Sequence, residues 1–153
     1  MTDNILEIKD IQIKELGEGD LPAVHALWTE AGLPFHPEGR DTPPRMAEEL
    51  RRGSAVLLGA FSQGILAGVV LLTDDGRKGW INRLAVKPSF RRRGVGKVLI
   101  AAGEALLLRR GRGIVACLIE DWNEASLALF QSQGYELRKD IFYLRKVPGG
   151  AGW

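Results

Sequence analysis

Two spacings of apolar residues recur along the chain, and together they predict an alternation of helices and strands. Positions three and four residues apart predict helices over about 21–31, 95–110 and 123–132, and Thr42 followed by two prolines predicts the start of a further helix over about 43–52. Short β-rich runs bounded by turn residues predict strands. In chain order these strands fall at 5–16, 54–62, 65–73, 80–87, 114–119, 135–137 and 141–147.

The turns between these runs predict how the strands pair. Gln63-Gly64 and Asp75-Gly76 are hairpin signals, so the strands at 54–62, 65–73 and 80–87 should form an antiparallel meander. Lys139-Asp140 should close a last hairpin. The helix over 95–110 connects two strands and permits them to be parallel. The predicted fold is therefore α/β (α+β mixed), with about seven strands in a mixed sheet flanked by about four helices.

Composition limits the classes that need to be considered. A chain of 153 residues with 45% hydrophobic and 26% charged residues predicts one domain over 1–153, with 148–153 as a frayed tail. The net charge of +2 is too small to favour a nucleic-acid partner. The chain contains no apolar run of the roughly 20 residues that span a bilayer. Charged residues throughout 1–20 argue against a signal peptide, and the single Cys117, an expected core thiol, fits a reducing compartment, so we expect a cytoplasmic protein.

A turn rich in arginine and glycine lies between the strand 80–87 and the helix 95–110, with the sequence RRRGVG over 91–96. Backbone N–H groups at a helix start have no acceptor within the helix, and the helix dipole favours negative charge there. Glycines at such a position let the backbone approach a ligand closely. The turn is therefore a predicted socket for an anion such as phosphate or pyrophosphate.

Two common phosphate sockets do not fit this turn. A Walker A motif would need glycine at Arg91 and Ser or Thr at Val98. The dinucleotide fingerprint GxGxxG lacks its third glycine here, and the chain has no second βαβ half.

A third pattern does fit, and it occurs with a second motif downstream. Leu84-Ala85-Val86 ends the strand, and Arg91-x-x-Gly94-x-Gly96 follows it. Further along, the spacing N-x-A-x-x-x-L-F-x-x-x-G-Y covers 123–135. With both motifs in this order, the chain resembles the GNAT superfamily of acetyl-CoA-dependent N-acetyltransferases over nearly its whole length.

The resemblance implies how coenzyme A would bind. The fourth and fifth strands (80–87 and 114–120) should splay, and the pantetheine arm should fill the gap like a strand. The amide of Val86 would hold the developing oxyanion. Asn123 would contact the cosubstrate, although a plain helix cap is an alternative role. The implied binding residues are Leu84, Ala85, Val86, Arg91, Arg92, Arg93, Gly94, Val95, Gly96, Lys97, Asn123 and Phe130.

The sequence departs from the family where protons are transferred. Phe130 replaces the usual acid, a tyrosine, and Leu118 stands where some members carry a glutamate base. Glu120 shares a strand face with Leu118 and is the candidate base or amine anchor, unless it simply faces solvent or a water mediates proton removal. Tyr143 is a candidate acid, and His36, in the loop 33–44, a candidate base or substrate contact.

These observations predict an N-acetyltransferase that passes the acetyl group of acetyl-CoA to a primary amine by direct attack in a ternary complex. The acceptor is expected to be a small-molecule or peptide amine, chosen by the loop 33–44 with Arg40 and Asp41. The alternative is a non-catalytic acyl-CoA-binding or sensing module. We expect no metal, nucleic-acid or membrane partner, and a homodimer is an open option.

Overall fold

A mixed sheet forms the centre of the molecule in the computed structural model, which describes residues 10–35 and 37–150. Within these ranges the sheet has five strands, whose order across the sheet is their order along the chain. The strands are β1 (Gln12–Leu16), β2 (Ala55–Ser62), β3 (Ile65–Asp74), β4 (Gly79–Val86) and β5 (Val115–Ala116). The helices are α1 (Leu21–Glu30), α2 (Pro43–Arg52), α3 (Val95–Arg109) and α4 (Glu124–Ser132). None of the described helices is long and apolar enough to cross a bilayer.

The predicted meander is confirmed, because β1, β2, β3 and β4 pair antiparallel with their neighbours. Gln63 and Gly64 both have positive φ, at 50° and 78°, as a two-residue turn between twisted strands requires. In the next turn, Asp75 accepts hydrogen bonds from the backbone N–H groups of Arg77 and Lys78. Both turns therefore form from the residues that predicted them.

The crossover through α3 makes β4 and β5 parallel, as predicted. They pair only at Gly79 with Val115 and at Trp80 with Ala116. Beyond Trp80, β4 has no sheet partner on this side among the described residues. The divergence that the family resemblance implies is therefore present in the fold.

A bulge interrupts β4 next to this divergence. Val69 lies opposite Ala85 and Leu71 opposite Asn82, so two residues of β4, Arg83 and Leu84, stand against one of β3. Arg83 has φ of 50°, a conformation unusual for a side chain other than glycine. A bulge of this kind redirects a side chain and is common beside active sites.

Helices cover both faces of the sheet, and this explains the nearly continuous apolar runs of β2 and β3. On one face, Leu72 and Ile81 pack with Leu99 and Ile100 of α3 and with Phe130 of α4. On the other face, alternate strand residues pack with α1 and α2, among them Leu57, Val69, Trp28 and Met46. The sheet is held between two apolar layers, with the divergence of β4 and β5 at its edge.

The prediction of two last strands is wrong for the described residues. Neither 135–137 nor 141–147 forms a strand, so five strands replace the seven expected; β5 is also shorter than 114–119. A strand needs a partner, and these segments pair with no strand of the described chain. At the expected hairpin, Arg138 instead pairs with Asp140 at 2.7 Å. The first strand lies within the predicted 5–16, and residues 5–9 fall outside the described ranges.

Candidate active site

The glycine turn has the geometry of an anion socket. Gly94, with φ of 82°, precedes α3, and the helix makes its first bond from the Val98 N–H to the Gly94 carbonyl at 3.1 Å. The N–H groups of 95–97 precede that bond and have no acceptor in the helix. A Cβ at Gly94 would meet nothing within 4 Å, so the left-handed conformation is what favours glycine there.

At position 96, glycine is favoured for a different reason, which is the lack of space for a side chain. A Cβ at this position would lie 2.8 Å from Cδ2 of Leu129, too close for an undisturbed contact. Gly96 therefore allows α3 to approach α4, which carries the second family motif. The two motifs are in contact through this glycine.

Two of the three arginines of the turn, Arg91 and Arg93, contact other residues of the chain. Arg91 donates to the carbonyl of Ala31 at 3.1 Å and so ties the turn to the end of α1. Arg93 lies over the ring of Phe90, 5.6 Å from its centroid. Arg92 has φ of 62°, which makes it the second left-handed residue of the turn.

A cavity of about 850 Å³ lies where β4 and β5 diverge. Of the residues singled out from sequence, it brings together Leu84, Glu120, Asn123, Phe130 and Tyr143. It also takes in Arg40 and Asp41 from the loop expected to choose the acceptor. Ala85 is buried on the α1/α2 side of the sheet, the turn residues 91–97 do not line the cavity, and His36 falls outside the described residues.

A buried ion pair stands in the cavity wall. Nη1 of Arg83 lies 2.6 Å from Oδ2 of Asp41, and the two side chains are only 12% and 6% exposed. The bulge in β4 directs Arg83 to this position, and its guanidinium also lies 5.2 Å from the centroid of the Trp28 ring. The pair connects the loop 33–44 to β4.

Sequence reasoning missed Glu49, a half-buried residue of α2 that lines the same cavity. Burial, and then the negative charge of Asp41, raises the pKa of Glu49, against the opposing charges of Arg83 and Arg45. Glu49 follows the buried Met46 by three residues, so both lie on one face of α2. An acidic residue on the apolar face of a helix was the signal that could have found it.

The remaining predicted side chains at the cavity differ in hydrogen bonding and exposure. Oδ1 of Asn123 accepts the Ser126 N–H at 3.2 Å, so its role as helix cap is present, and contact with coenzyme A stays a prediction. Glu120 is exposed, and Tyr143 is 69% exposed. Their roles as base and acid stay predictions.

Two other side chains with reactive groups, Tyr135 and Cys117, pack against the core. Tyr135 donates its hydroxyl to Oε1 of Glu104 at 2.7 Å, and burial together with this bond raises its pKa. Its ring meets that of Phe130 edge to face, at 5.0 Å. Burial raises the pKa of Cys117 to about 11, which disfavours the thiolate needed for a covalent acetyl-cysteine. Cys117 is half-buried: it packs against the core, as expected, but it also lines the cavity.

An antiparallel meander, a glycine turn that starts a crossover helix, and a cavity between two diverging parallel strands are together the arrangement that the resemblance to N-acetyltransferases implies for a coenzyme A-dependent acyltransferase. Within 10–35 and 37–150, no group of three or more His, Cys, Asp or Glu side chains is arranged to hold a metal ion.

Comparison with known proteins gives the family. The model of the acetyltransferase (GNAT) family matches residues 21–135, which span β2 to β5, the four helices and both motifs. The chain belongs to this family and is an acyltransferase that takes its acetyl group from acetyl-CoA.

Individual relatives agree with this assignment. The chain is 35% identical to a mycothiol acetyltransferase of Clavibacter sepedonicus over 85% of its own length, but it spans only 49% of that relative. It is 27% identical to an acetyltransferase of Pectobacterium atrosepticum, over 82% of this chain and 88% of that protein. Among solved structures, the aminoglycoside N-acetyltransferase AAC(6')-Iy with a bisubstrate analogue has a TM-score of 0.76 at 24% identity, covering 90% of this chain and 98% of the other.

Proposed function

We propose that the chain transfers the acetyl group of acetyl-CoA to a primary amine of a small cationic acceptor, by direct attack in a ternary complex. One observation carries the proposal. Carboxylates from two separate elements, Glu49 of α2 and Glu120 after β5, line one cavity at the divergence of β4 and β5. An ammonium group that entered this cavity would gain a favourable charge interaction and a proton acceptor.

The residues at the divergence suit the cosubstrate. The side of β4 beyond Trp80 offers backbone groups that no neighbouring strand uses, and these suit the amides of a pantetheine arm. The N–H groups before Val98 and the left-handed Gly94 suit a pyrophosphate. When bound, acetyl-CoA supplies the activated acetyl group.

Glu49 is the better placed proton acceptor of the two carboxylates. Its raised pKa makes it a stronger base than an exposed glutamate, while Asp41 is paired with Arg83. Glu120, at the exposed side of the cavity, would hold a second positive charge of the acceptor. The two roles are separable, because removing the base should lower turnover and removing an anchor should raise the KM for the amine.

Relatives suggest a class of acceptor to test first. The solved structure compared above is an aminoglycoside N-acetyltransferase in complex with CoA-S-monomethyl-acetylneamine. The curated relative with 35% identity is a mycothiol acetyltransferase. An aminoglycoside, which carries several amines, is consistent with a cavity that offers several separate carboxylates.

The experiment measures release of the coenzyme A thiol with a panel of amines: an aminoglycoside, a polyamine, an amino acid amide and a peptide with a free α-amine. Calorimetry with acetyl-CoA runs beside it. Glu49→Gln should lower turnover with little change in acetyl-CoA affinity, and Glu48→Gln, one position along α2 and paired with Arg51 and Arg52, is the matched control. Equal turnover of the two variants would remove Glu49 from the mechanism.

A second candidate function rests on Phe130. Its buried phenyl ring, 4% exposed, occupies the family's acid position and cannot donate a proton. A non-catalytic acyl-CoA-binding module would bind acetyl-CoA tightly and acetylate no amine of the panel. If transfer is observed, Tyr143→Phe then tests whether that hydroxyl protonates the leaving thiolate.

A further inference from the structure

One largely buried guanidinium and two carboxyl groups share the wall of the cavity. Arg83 of β4, Asp41 of the loop 33–44 and Glu49 of α2 all line it. Nη1 of Arg83 lies 2.6 Å from Oδ2 of Asp41. Glu49 is half-buried, and its carboxyl group forms no hydrogen bond with the described residues. The guanidinium therefore pairs with one carboxylate and leaves the other without a close cation.

The fold decides which carboxylate receives the guanidinium. The bulge in β4, where Arg83 has φ of 50°, directs this side chain to the loop 33–44. The ring of Trp28, which is completely buried, lies 5.2 Å from the guanidinium. By turning toward Glu49, Arg83 would lose both its contact with this ring and its bond to Asp41. The pairing is therefore fixed by groups on three different elements.

Other charged groups around α2 leave this assignment unchanged. Arg45, exposed on α2 itself, lowers the pKa of Glu49 less than Arg83 does, and Arg40 lies 4.0 Å from Asp41. Strand β2, on which α2 packs, carries no charged residue. The charged side chains that pair with one another at the exposed face of α2 are Glu18, Glu48, Arg51 and Arg52.

From α1, a histidine faces the pair. Burial lowers the pKa of His25, and the charge of Arg83 lowers it further, against the charge of Asp41. Its imidazole is therefore neutral at pH 7 and adds no positive charge to this wall.

The charge of Asp41 also acts on Glu49. After burial, Asp41 is the largest cause that raises the pKa of Glu49, and the guanidinium of Arg83 opposes it. A cation that moved close to Glu49 would stabilise its carboxylate and make it a weaker base. The partner chosen by Arg83 therefore affects the strength of the proton acceptor.

We propose that Asp41 and Arg83 are positioning residues for the reaction: Asp41 binds the guanidinium and keeps it from Glu49, whose carboxylate stays available to take a proton from the acceptor amine. The inference rests on the proposed role of Glu49 as the base. Asp41 and Arg83 act through Glu49 and transfer no proton themselves.

The first experiment titrates the Glu49 carboxyl group by carbon NMR, without acceptor, using Glu49→Gln to assign its signal. Asp41→Asn should move the midpoint to lower pH, because it removes a negative charge and releases Arg83. Asp74→Asn is the matched control and should leave the midpoint in place, since Asp74 also pairs with an arginine, 2.8 Å from Nε of Arg112, but does not line the cavity. An unchanged midpoint in folded Asp41→Asn overturns the proposal.

The second experiment uses a variant in which no buried charge is left unpaired. Asp41→Leu/Arg83→Met should still move the midpoint of Glu49 to lower pH, because Asp41 affects this carboxyl group more than Arg83 does. An unchanged midpoint in this variant overturns the proposal even if Asp41→Asn does not fold.

Profiles of turnover against pH separate this inference from the proposed function. They are measured with the amine of the panel above that is acetylated fastest. If Glu49→Gln keeps the acid limb of the profile, another group is the base and the inference falls with that assignment. If Glu49→Gln removes the limb and Asp41→Asn leaves it in place, Glu49 is the base but the pair does not position it. A limb that Asp41→Asn moves to lower pH, with unchanged affinity for acetyl-CoA, supports both.

Discussion

Removing the cation from the buried pair in the cavity wall should destabilise the protein strongly. Arg83→Met keeps an unbranched stem of similar length but leaves the Asp41 carboxylate, 6% exposed, without the guanidinium that lies 2.6 Å away. A buried charge left without its partner costs about 3–5 kcal/mol. Nε of Arg40, at 4.0 Å from the same oxygen and 43% exposed, offsets part of this cost, so about 3 kcal/mol is expected from the pair.

The contact of Arg83 with Trp28 adds to this loss. The guanidinium lies 5.2 Å from the ring centroid, and a partly desolvated cation–π contact contributes about 1 kcal/mol. The expected decrease in the free energy of unfolding is therefore about 4 kcal/mol. Replacing both members, as Asp41→Leu/Arg83→Met, should recover much of it because no unpaired charge remains.

A surface pair of equal length provides the control. Nη1 of Arg51 also lies 2.6 Å from a carboxylate oxygen, that of Glu18, but both side chains are 57% exposed. Arg51→Met should cost much less, because water and salt screen the charges of an exposed pair. Urea unfolding followed by tryptophan fluorescence gives both values, with unchanged m as the condition for comparing them. If the two variants lose the same stability, burial does not set the strength of the Asp41–Arg83 pair.

The other predictions concern the glycine turn and the base. Gly94→Ala should lower the free energy of unfolding by about 1–2 kcal/mol through its φ of 82°, and Gly94→Asp should also abolish coenzyme A binding in calorimetry; retained micromolar binding would exclude the socket. Gly96→Ala should cost about 1–3 kcal/mol, because its Cβ would meet Leu129 at 2.8 Å, and a smaller loss in a Leu129→Ala background tests that cause. Turnover should fall as pH drops through the raised pKa of Glu49, since only the carboxylate accepts a proton; Glu49→Gln should remove this acid limb and Glu120→Gln should keep it, and the opposite result would make Glu120 the base.

Elements whose signals are local were predictable from the sequence. For α2, Thr42 followed by two prolines fixed the start, and Gly53, which has φ of 73°, fixed the end. The glycine turn was equally local, since a short run of residues contains both the strand end and the helix start. The family motifs identified the cosubstrate because they lie in such segments.

The side of the cavity formed by the loop 33–44 and α2 could not be predicted in the same way. Glu49 and Asp41 come close to Arg83 only because the bulge in β4 turns that side chain toward the loop and α2. Neither the bulge nor the raised pKa of Glu49 can be predicted from neighbouring residues in the sequence, since both depend on how distant segments pack. Glu120 was favoured as the base because strand alternation is visible in neighbouring residues of the sequence. The carboxyl group with the raised pKa belongs instead to Glu49, which lies on another element.

The segment 141–147 shows a third limit, which comes from strand propensity itself. Residues 141–147 have the composition of a strand, and the prediction assumed that a strand-forming sequence pairs within its own chain. Strand propensity describes fitness for a half-buried pleated surface and does not name the partner. In this fold Ile141, Phe142, Tyr143 and Leu144 are 65% to 86% exposed, and residues 141–147 pair with no strand of the described chain. Composition therefore predicted a strand for which the described chain provides no partner.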